Sequence, residues 1–277
     1  MDPEDEPKVY LLPNLMTAGN LFCGFGAVSC IIDAVVNIHQ GESAVQLYYK
    51  TIAFILGACV FDLLDGRVAR LGGTESPFGR EFDSLADVVS FGMAPALLAY
   101  QVVLQDFPRV GWLIAFGYLL CGTLRLARFN CYASMPKREK TSDDFVGFPI
   151  PAAAGLIASL TLFMMWVKED SLKIGWGKFI LPALLLFLSV MMFSKVKYPS
   201  FKGLGWRSKR SIPHLLIIAA GLALCATFYQ WVPAVLFVSF LLYGFVRPYI
   251  SKALRREIEE EEGDEEDSHE SDSSKLS

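Results

Sequence analysis

Between residues 61 and 90 the chain reads FDLLDGRVARLGGTESPFGREFDSLADVVS, which sets Asp62, Asp65, Asp83 and Asp87 between two apolar runs, TIAFILGACVF and FGMAPALLAY. On one helix Asp62, Asp65 and Ala69 fall at i, i+3 and i+7, a single stripe, and on the next Gly79, Asp83 and Asp87 fall at i, i+4 and i+8. The connecting LGGTESP is a turn built from Gly72, Gly73 and Pro77, with Thr74 or Ser76 available to cap the second helix. A helical hairpin of this kind gathers four carboxylates near one point. Two ionised carboxylates 4 Å apart repel by about 4 kcal/mol even at an effective dielectric of about 20, so positive charge must sit among them. Hard divalent cations with oxygen ligands meet that need, and two such ions about 4 Å apart suit in-line displacement at phosphorus. Gly66 and Gly79 leave backbone bare for the close approach of a flat base or a diphosphate, and Arg70 offers a fork of donors to phosphate oxygens. Plain loop charges and a cation-transport site are the competing readings. Acids at a membrane span are too costly for the first, and transport gives no reason for Gly66, Arg70 and Gly79 at their offsets.

The elements that position these residues follow from composition. Of the 277 residues 53% are hydrophobic, 21 of them Phe, which is too apolar for an ordinary soluble domain of this length. Stretches close to the roughly 20 residues needed to cross a hydrocarbon core recur near 15–36, 48–66, 84–105, 110–130, 148–167, 178–195, 211–230 and 232–250. They are too long and continuous for barrel strands, so the expectation is an all-α, polytopic membrane helix bundle of about eight spans. Basic residues orient it. If both termini are cytoplasmic, that side collects twenty of the 25 Lys and Arg, including the Arg67/Arg70/Arg80 turn and the 125–140 segment. The predicted setting is the cell membrane, with the carboxylates facing the cytoplasm.

Two domains are expected, a membrane domain over 1–254 and an acidic, disordered cytoplasmic tail over 255–277. Residues 257–277 alone hold eleven acids against one Lys, so the formal charge of −4 hides a basic remainder. The six cysteines, at 23, 30, 59, 121, 131 and 225, stand singly without metal or disulfide spacing and read as reduced packing residues. The acidic MDPEDEPK start is unlike the basic flank of a signal peptide, so the first span reads as retained. No nucleic-acid partner is expected.

Asp62-x2-Asp65-Gly66-x2-Ala69-Arg70-x8-Gly79-x3-Asp83-x3-Asp87 resembles the signature of the CDP-alcohol phosphatidyltransferases, with every fixed position present. The resemblance implies that family's fold and reaction: the hydroxyl of a small alcohol attacks the lipid-bearing phosphorus of a CDP-lipid, releasing CMP. By position it implies that Asp62, Asp65 and Asp83 bind Mg²⁺ or Mn²⁺, two ions, with Asp87 near the second and taking the proton from the alcohol. It further implies that Gly66, Ala69 and Gly79 line the cytidine site, that Asp62 faces the diphosphate, that Arg70 faces the diphosphate or the arriving group, and that the chain forms a homodimer.

Weaker stretches bear on the alcohol. YLLPNLMTAGNLFCGFGA resembles the first helix of the serine-using branch of the family, with Pro13 at a helix start and Asn14 and Thr17 on one face that can touch the nucleotide or simply pack. RLARFN, ending the fourth span, sets Arg125 and Arg128 one turn apart, as an anion pocket for the acceptor's carboxylate or as side chains snorkelling to lipid headgroups. Arg128 is the sequence-based candidate for the carboxylate. FVGFPIPAAAG, residues 145–155, is again like that branch and receives no chemistry. The expected substrates are CDP-diacylglycerol and L-serine among membrane lipids. A choline-using enzyme, which would need an aromatic cage, and outside enzymes a divalent-cation transporter or a scaffold recruiting partners through the tail, are the alternatives.

Overall fold

The structure, a computed structural model, describes residues 11–72, 76–107, 109–134, 145–169, 177–194, 197–198, 227–228 and 230–244; within these, side chains are not described at 11–13, 65–72, 133–134, 145–146, 168–169, 177–178 and 197–198. Helices account for nearly all of it: α1 (Leu11–His39), α2 (Val45–Gly72), α3 (Pro77–Asp87), a π-helical turn (Val88–Met93), α4 (Ala94–Val102), α5 (Gly111–Ser134), α6 (Ile150–Glu169) and α7 (Gly177–Phe193). A last helix, α8, covers Val232–Gly244. The described strands are one antiparallel pair of two residues each, Phe145 opposite Tyr198 and Val146 opposite Lys197. The first of two units, Met1–Phe237, holds α1 to α7 and the site; the second, Val238–Ser277, is described only within α8.

Among the described residues five helices are long and apolar enough to cross a membrane: Asn14–His39, Val45–Leu64, Pro77–Val102, Gly111–Tyr132 and Ile150–Val167; Phe179–Phe193 and Val232–Gly244 are shorter apolar helices. The bundle is all-α, as expected. The span expected at 211–230 lies almost wholly outside the described residues, as do the acidic tail and Cys225. The span expected from 84 begins at Pro77. Its start is fixed by capping chemistry, because Ser76 is extended and its Oγ accepts the Gly79 N–H at 3.0 Å while Pro77 takes the first helical position. Of the two candidate caps Ser76 acts as one, and Thr74 falls outside the described residues.

Side-chain size sets how closely α1 and α2 approach. Gly19, Cys23 and Gly26 of α1 meet Phe61, Gly57 and Phe54 of α2: a Cβ at Gly19 would stand 2.8 Å from the Phe61 ring and one at Gly26 3.1 Å from the Phe54 ring. In lipid, where burial of apolar surface drives helix pairing little, such close contact is the main source of association. Bulky apolar groups such as Phe22 and Phe25 point outward instead, as a hydrocarbon solvent permits.

The π turn after Asp87 has an identifiable cause. Pro95 has no N–H, and in a regular α-helix its ring would collide with the Phe91 carbonyl four residues back. The register widens instead, with Ala94 N–H bonding the Val89 carbonyl. Tyr118 of α5, fully buried, donates its hydroxyl to the Phe91 carbonyl at 3.0 Å and thereby satisfies the freed group. Farther on, Gly147 adopts φ +86, and a Cβ there would stand 2.6 Å from the Met192 carbonyl. Phe148 N–H then bonds the Met191 carbonyl at 3.1 Å, so the FVGF segment fastens the start of α6 to the end of α7.

Candidate active site

The end of α2 and the start of α3 lie on one side because a short turn joins them, and α5 returns to that side. Asn130 near the α5 C-terminus donates to Ser84 Oγ at 3.0 Å and to Glu81 Oε2 at 3.1 Å. Within this corner one carboxylate oxygen from each of Asp62, Asp83 and Asp87 lies within 4.8 Å of the other two. Asp62 of the stripe expected on α2 is therefore brought together with Asp83 and Asp87 of the stripe expected on α3. Asp65, Gly66, Ala69 and Arg70 follow on the last turns of α2, where side chains lie outside the described residues.

The first helix completes the corner. Asn14, Thr17 and Asn20 fall at i, i+3 and i+6 and run alongside the Gly79, Asp83, Asp87 stripe of α3. At one end Asn14 Oδ1 lies 3.3 Å from where a Cβ on residue 79 would be. At the other, Asn20 Nδ2 donates to Asp87 Oδ1 at 3.0 Å, both residues being buried. Thr17 between them is buried. Asn20 was not among the residues singled out from sequence, although its place on the Asn14/Thr17 stripe and its polarity inside an apolar span are both visible there.

Arg125 is only 9% exposed, within electrostatic reach of Asp87 and Asp62, and its Nε has no hydrogen-bond partner among the described residues. Arg128, one turn on, is half-buried. Burial thus separates two arginines that spacing alone treats alike. Of the cysteines, 23, 30, 59, 121 and 131 are free thiols.

The donor set decides what the corner can hold. Three carboxylates this close repel by at least about 3.5 kcal/mol per ionised pair at an effective dielectric of 20. Asp83 Oδ1 is buried without a hydrogen-bond partner, an acceptor that the described protein groups leave unserved. A divalent cation that prefers oxygen ligands fits both facts.

All-helical architecture, an aspartate cluster at a helical hairpin and a donor stripe on the first helix define a class, and comparison with known proteins identifies it. Residues 10–194 match the model of the CDP-alcohol phosphatidyltransferase family, and the chain belongs to that family, whose members depend on metal. Among individual relatives it is 38% identical to the CDP-diacylglycerol–serine O-phosphatidyltransferase of Helicobacter pylori over 213 residues, 76% of this chain and 81% of the relative. The enzyme of the same name from Bacillus subtilis is 34% identical over 191 residues, 69% of this chain and 91% of the relative. An archaetidylserine synthase from Methanothermobacter thermautotrophicus is 34% identical over 196 residues, 70% and 72% of the two chains.

Proposed function

We propose that this chain transfers the phosphatidyl group of CDP-diacylglycerol to L-serine, giving phosphatidylserine and CMP. The observation that carries the reading is the convergence of Asp62, Asp83 and Asp87, with Asn14 and Gly79 side by side next to them. The names of the relatives point to serine as the acceptor.

The residues have the following parts. Asp62, Asp83 and Asp87, with Asp65 one turn along α2, would hold Mg²⁺ or Mn²⁺. Bound there, such ions would offset the negative charge of the nucleotide diphosphate as the leaving group departs. Asn14 and Thr17 of α1 and the bare backbone of Gly79, with Gly66 and Ala69 of α2, receive the cytidine, and Arg70 faces the diphosphate. An apolar groove lined by Leu21, Phe22, Phe25, Val89 and Met93 opens where α1 meets the π turn, a surface suited to hydrocarbon. Asp87 accepts the proton of the serine hydroxyl as its oxygen bonds to the lipid-bearing phosphorus and the bond to the CMP oxygen breaks. Arg125, buried and with Nε unserved, anchors the serine carboxylate in preference to Arg128.

The same reading makes 1–254 the catalytic membrane domain and 255–277 an appended tail. It places both termini and the aspartates at the cytoplasmic face, on the side rich in Lys and Arg, and takes the chain as a homodimer.

Purified protein with CDP-diacylglycerol, Mn²⁺ and labelled serine tests it: CMP and a labelled lipid must appear together, and only when serine is present. Parallel reactions with choline, inositol and glycerol 3-phosphate establish the acceptor, and an ether-linked CDP-lipid beside the diacyl one establishes the tail chemistry. Release of CMP at equal rates with every alcohol would sink the assignment of serine.

A further inference from the structure

Asn20 stands at the centre of an arrangement that neither the family signature nor metal binding requires. It is 0% exposed, its Nδ2 donates to Asp87 Oδ1 at 3.0 Å, and its own backbone carbonyl accepts the Ser90 hydroxyl at 2.9 Å. Ser90 lies in the π turn three residues after Asp87, so α1 holds the carboxylate and again the turn that follows it. The grip needs contact at backbone distance, and Gly24 supplies it: a Cβ there would stand 2.8 Å from Ser90 Cα. One feature of the amide is unfavourable. Its Oδ1 is buried with no hydrogen-bond partner, so an apolar side chain of similar size relieves one unserved acceptor while taking a donor from Asp87 Oδ1, two effects on stability of opposite sign and similar scale.

We propose that Asn20 is the positioning residue for Asp87, fixing by its amide N–H the rotamer in which the other carboxylate oxygen meets the acceptor hydroxyl. This rests on the phosphatidyl transfer proposed above. A free Asp87 samples several staggered rotamers, whereas a carboxylate held at one oxygen and tied through the π turn keeps the other oxygen aimed. Asn20 touches no reacting atom and acts only through Asp87.

Asn20→Leu separates this role from plain packing. Expected are a roughly 10- to 100-fold lower kcat, as for loss of other residues that orient a reacting group, and KM for CDP-diacylglycerol within about threefold of wild type. The melting temperature in detergent should stay within about 4 °C of wild type, and Mn²⁺ affinity, followed by electron paramagnetic resonance, within about threefold. A kcat within twofold of wild type overturns the proposal. So does a kcat that falls only in step with melting temperature, which marks packing, or with Mn²⁺ affinity, which marks the cation site. If Asn20→Leu does not fold, Ser90→Ala loosens the Asn20 backbone without touching the amide and must lower kcat at least about threefold with Mn²⁺ binding retained; no change would refute the role. Wild-type protein run alongside keeps the two questions apart. No phosphatidylserine from wild type sinks the reaction itself, while an active wild type with an indifferent Asn20→Leu sinks only the positioning role.

Discussion

Asn14 of α1 lies directly against Gly79 of α3: a Cβ added at residue 79 would stand 3.3 Å from Asn14 Oδ1 and 3.2 Å from Ser76 Oγ. The amide and the bare backbone thus share one small opening between two helices. Asn14 Nδ2 is buried without a hydrogen-bond partner among the described residues, a donor that a nucleotide can satisfy.

Gly79→Ala tests that opening. Alanine adds up to about 1 kcal/mol of helix propensity, and the contacts it meets ask its neighbours for only a few tenths of an ångström. Thermal stability should therefore stay within about 1 kcal/mol of wild type. With the base seated there as proposed, the methyl group takes its space, so KM for the CDP-lipid should rise roughly tenfold or more, the cost of losing about 1.4 kcal/mol of binding. Steady-state kinetics beside thermal melts checks both, and an unchanged KM would remove Gly79 from the nucleotide site.

The carboxylate cluster predicts opposite signs for stability and activity. Asp83→Asn or Asp87→Asn removes one member of a set whose oxygens lie within 4.8 Å of one another, and each pair repels by at least about 3.5 kcal/mol when ionised at an effective dielectric of 20. In chelator, both variants should melt no lower than wild type. Turnover should fall by roughly 10²- to 10⁴-fold, the usual scale for losing a positioned acid–base group. Wild type should lose turnover in chelator and regain it with Mn²⁺, gaining melting temperature as it does so, because an ion that binds only the folded state stabilises it. Variants that melt lower than wild type in chelator would mean that these aspartates serve folding instead.

Burial is the reason for proposing Arg125 as the anchor for an acceptor carboxylate. A charged hydrogen bond is worth about 1.5 to 3 kcal/mol, so Arg125→Ala should raise KM for serine by roughly 10- to 150-fold. Arg125→Lys should recover only part of this, since a point charge does not reproduce the planar fork. Arg128→Ala, at a half-buried position, should change KM by less than about fivefold, in line with exposed ion pairs. Serine titrations at saturating CDP-lipid make the comparison, and a larger effect at Arg128 would reverse the assignment.

How much of this was legible in sequence differs from residue to residue. The meeting of Asp62 with Asp83 and Asp87 was, because 3.6-residue periodicity and a Gly-Gly-x3-Pro turn leave a helical hairpin few other geometries. Asn20 was not. An amide within an apolar run reads as packing until a partner is known, and its partner lies 67 residues away. Arg125 and Arg128 share a helix face, so only the depth of α5 in the bundle tells them apart. The π turn had one sign, Pro95 within FGMAP, but periodicity cannot say whether a proline kinks a helix, ends it or widens one turn.

That turn gives a double-variant prediction. Tyr118→Phe strips the hydroxyl from the Phe91 carbonyl, leaving a fully buried acceptor unserved at about 1 to 3 kcal/mol. Pro95→Ala supplies an N–H four residues after Phe91 and removes the ring that forbids an α register, so in the Tyr118→Phe background it should restore most of the lost stability. Activity should not return with it. Closing a π turn to an α turn takes up one residue, and a one-residue step is about 100° of rotation, which turns Asp87 relative to the helix that follows. The double variant should therefore melt near wild type while kcat stays at least roughly tenfold down, the usual scale for a misoriented acid–base group. Recovery of both together would show that the widened turn is a packing accommodation with no part in aiming the carboxylate.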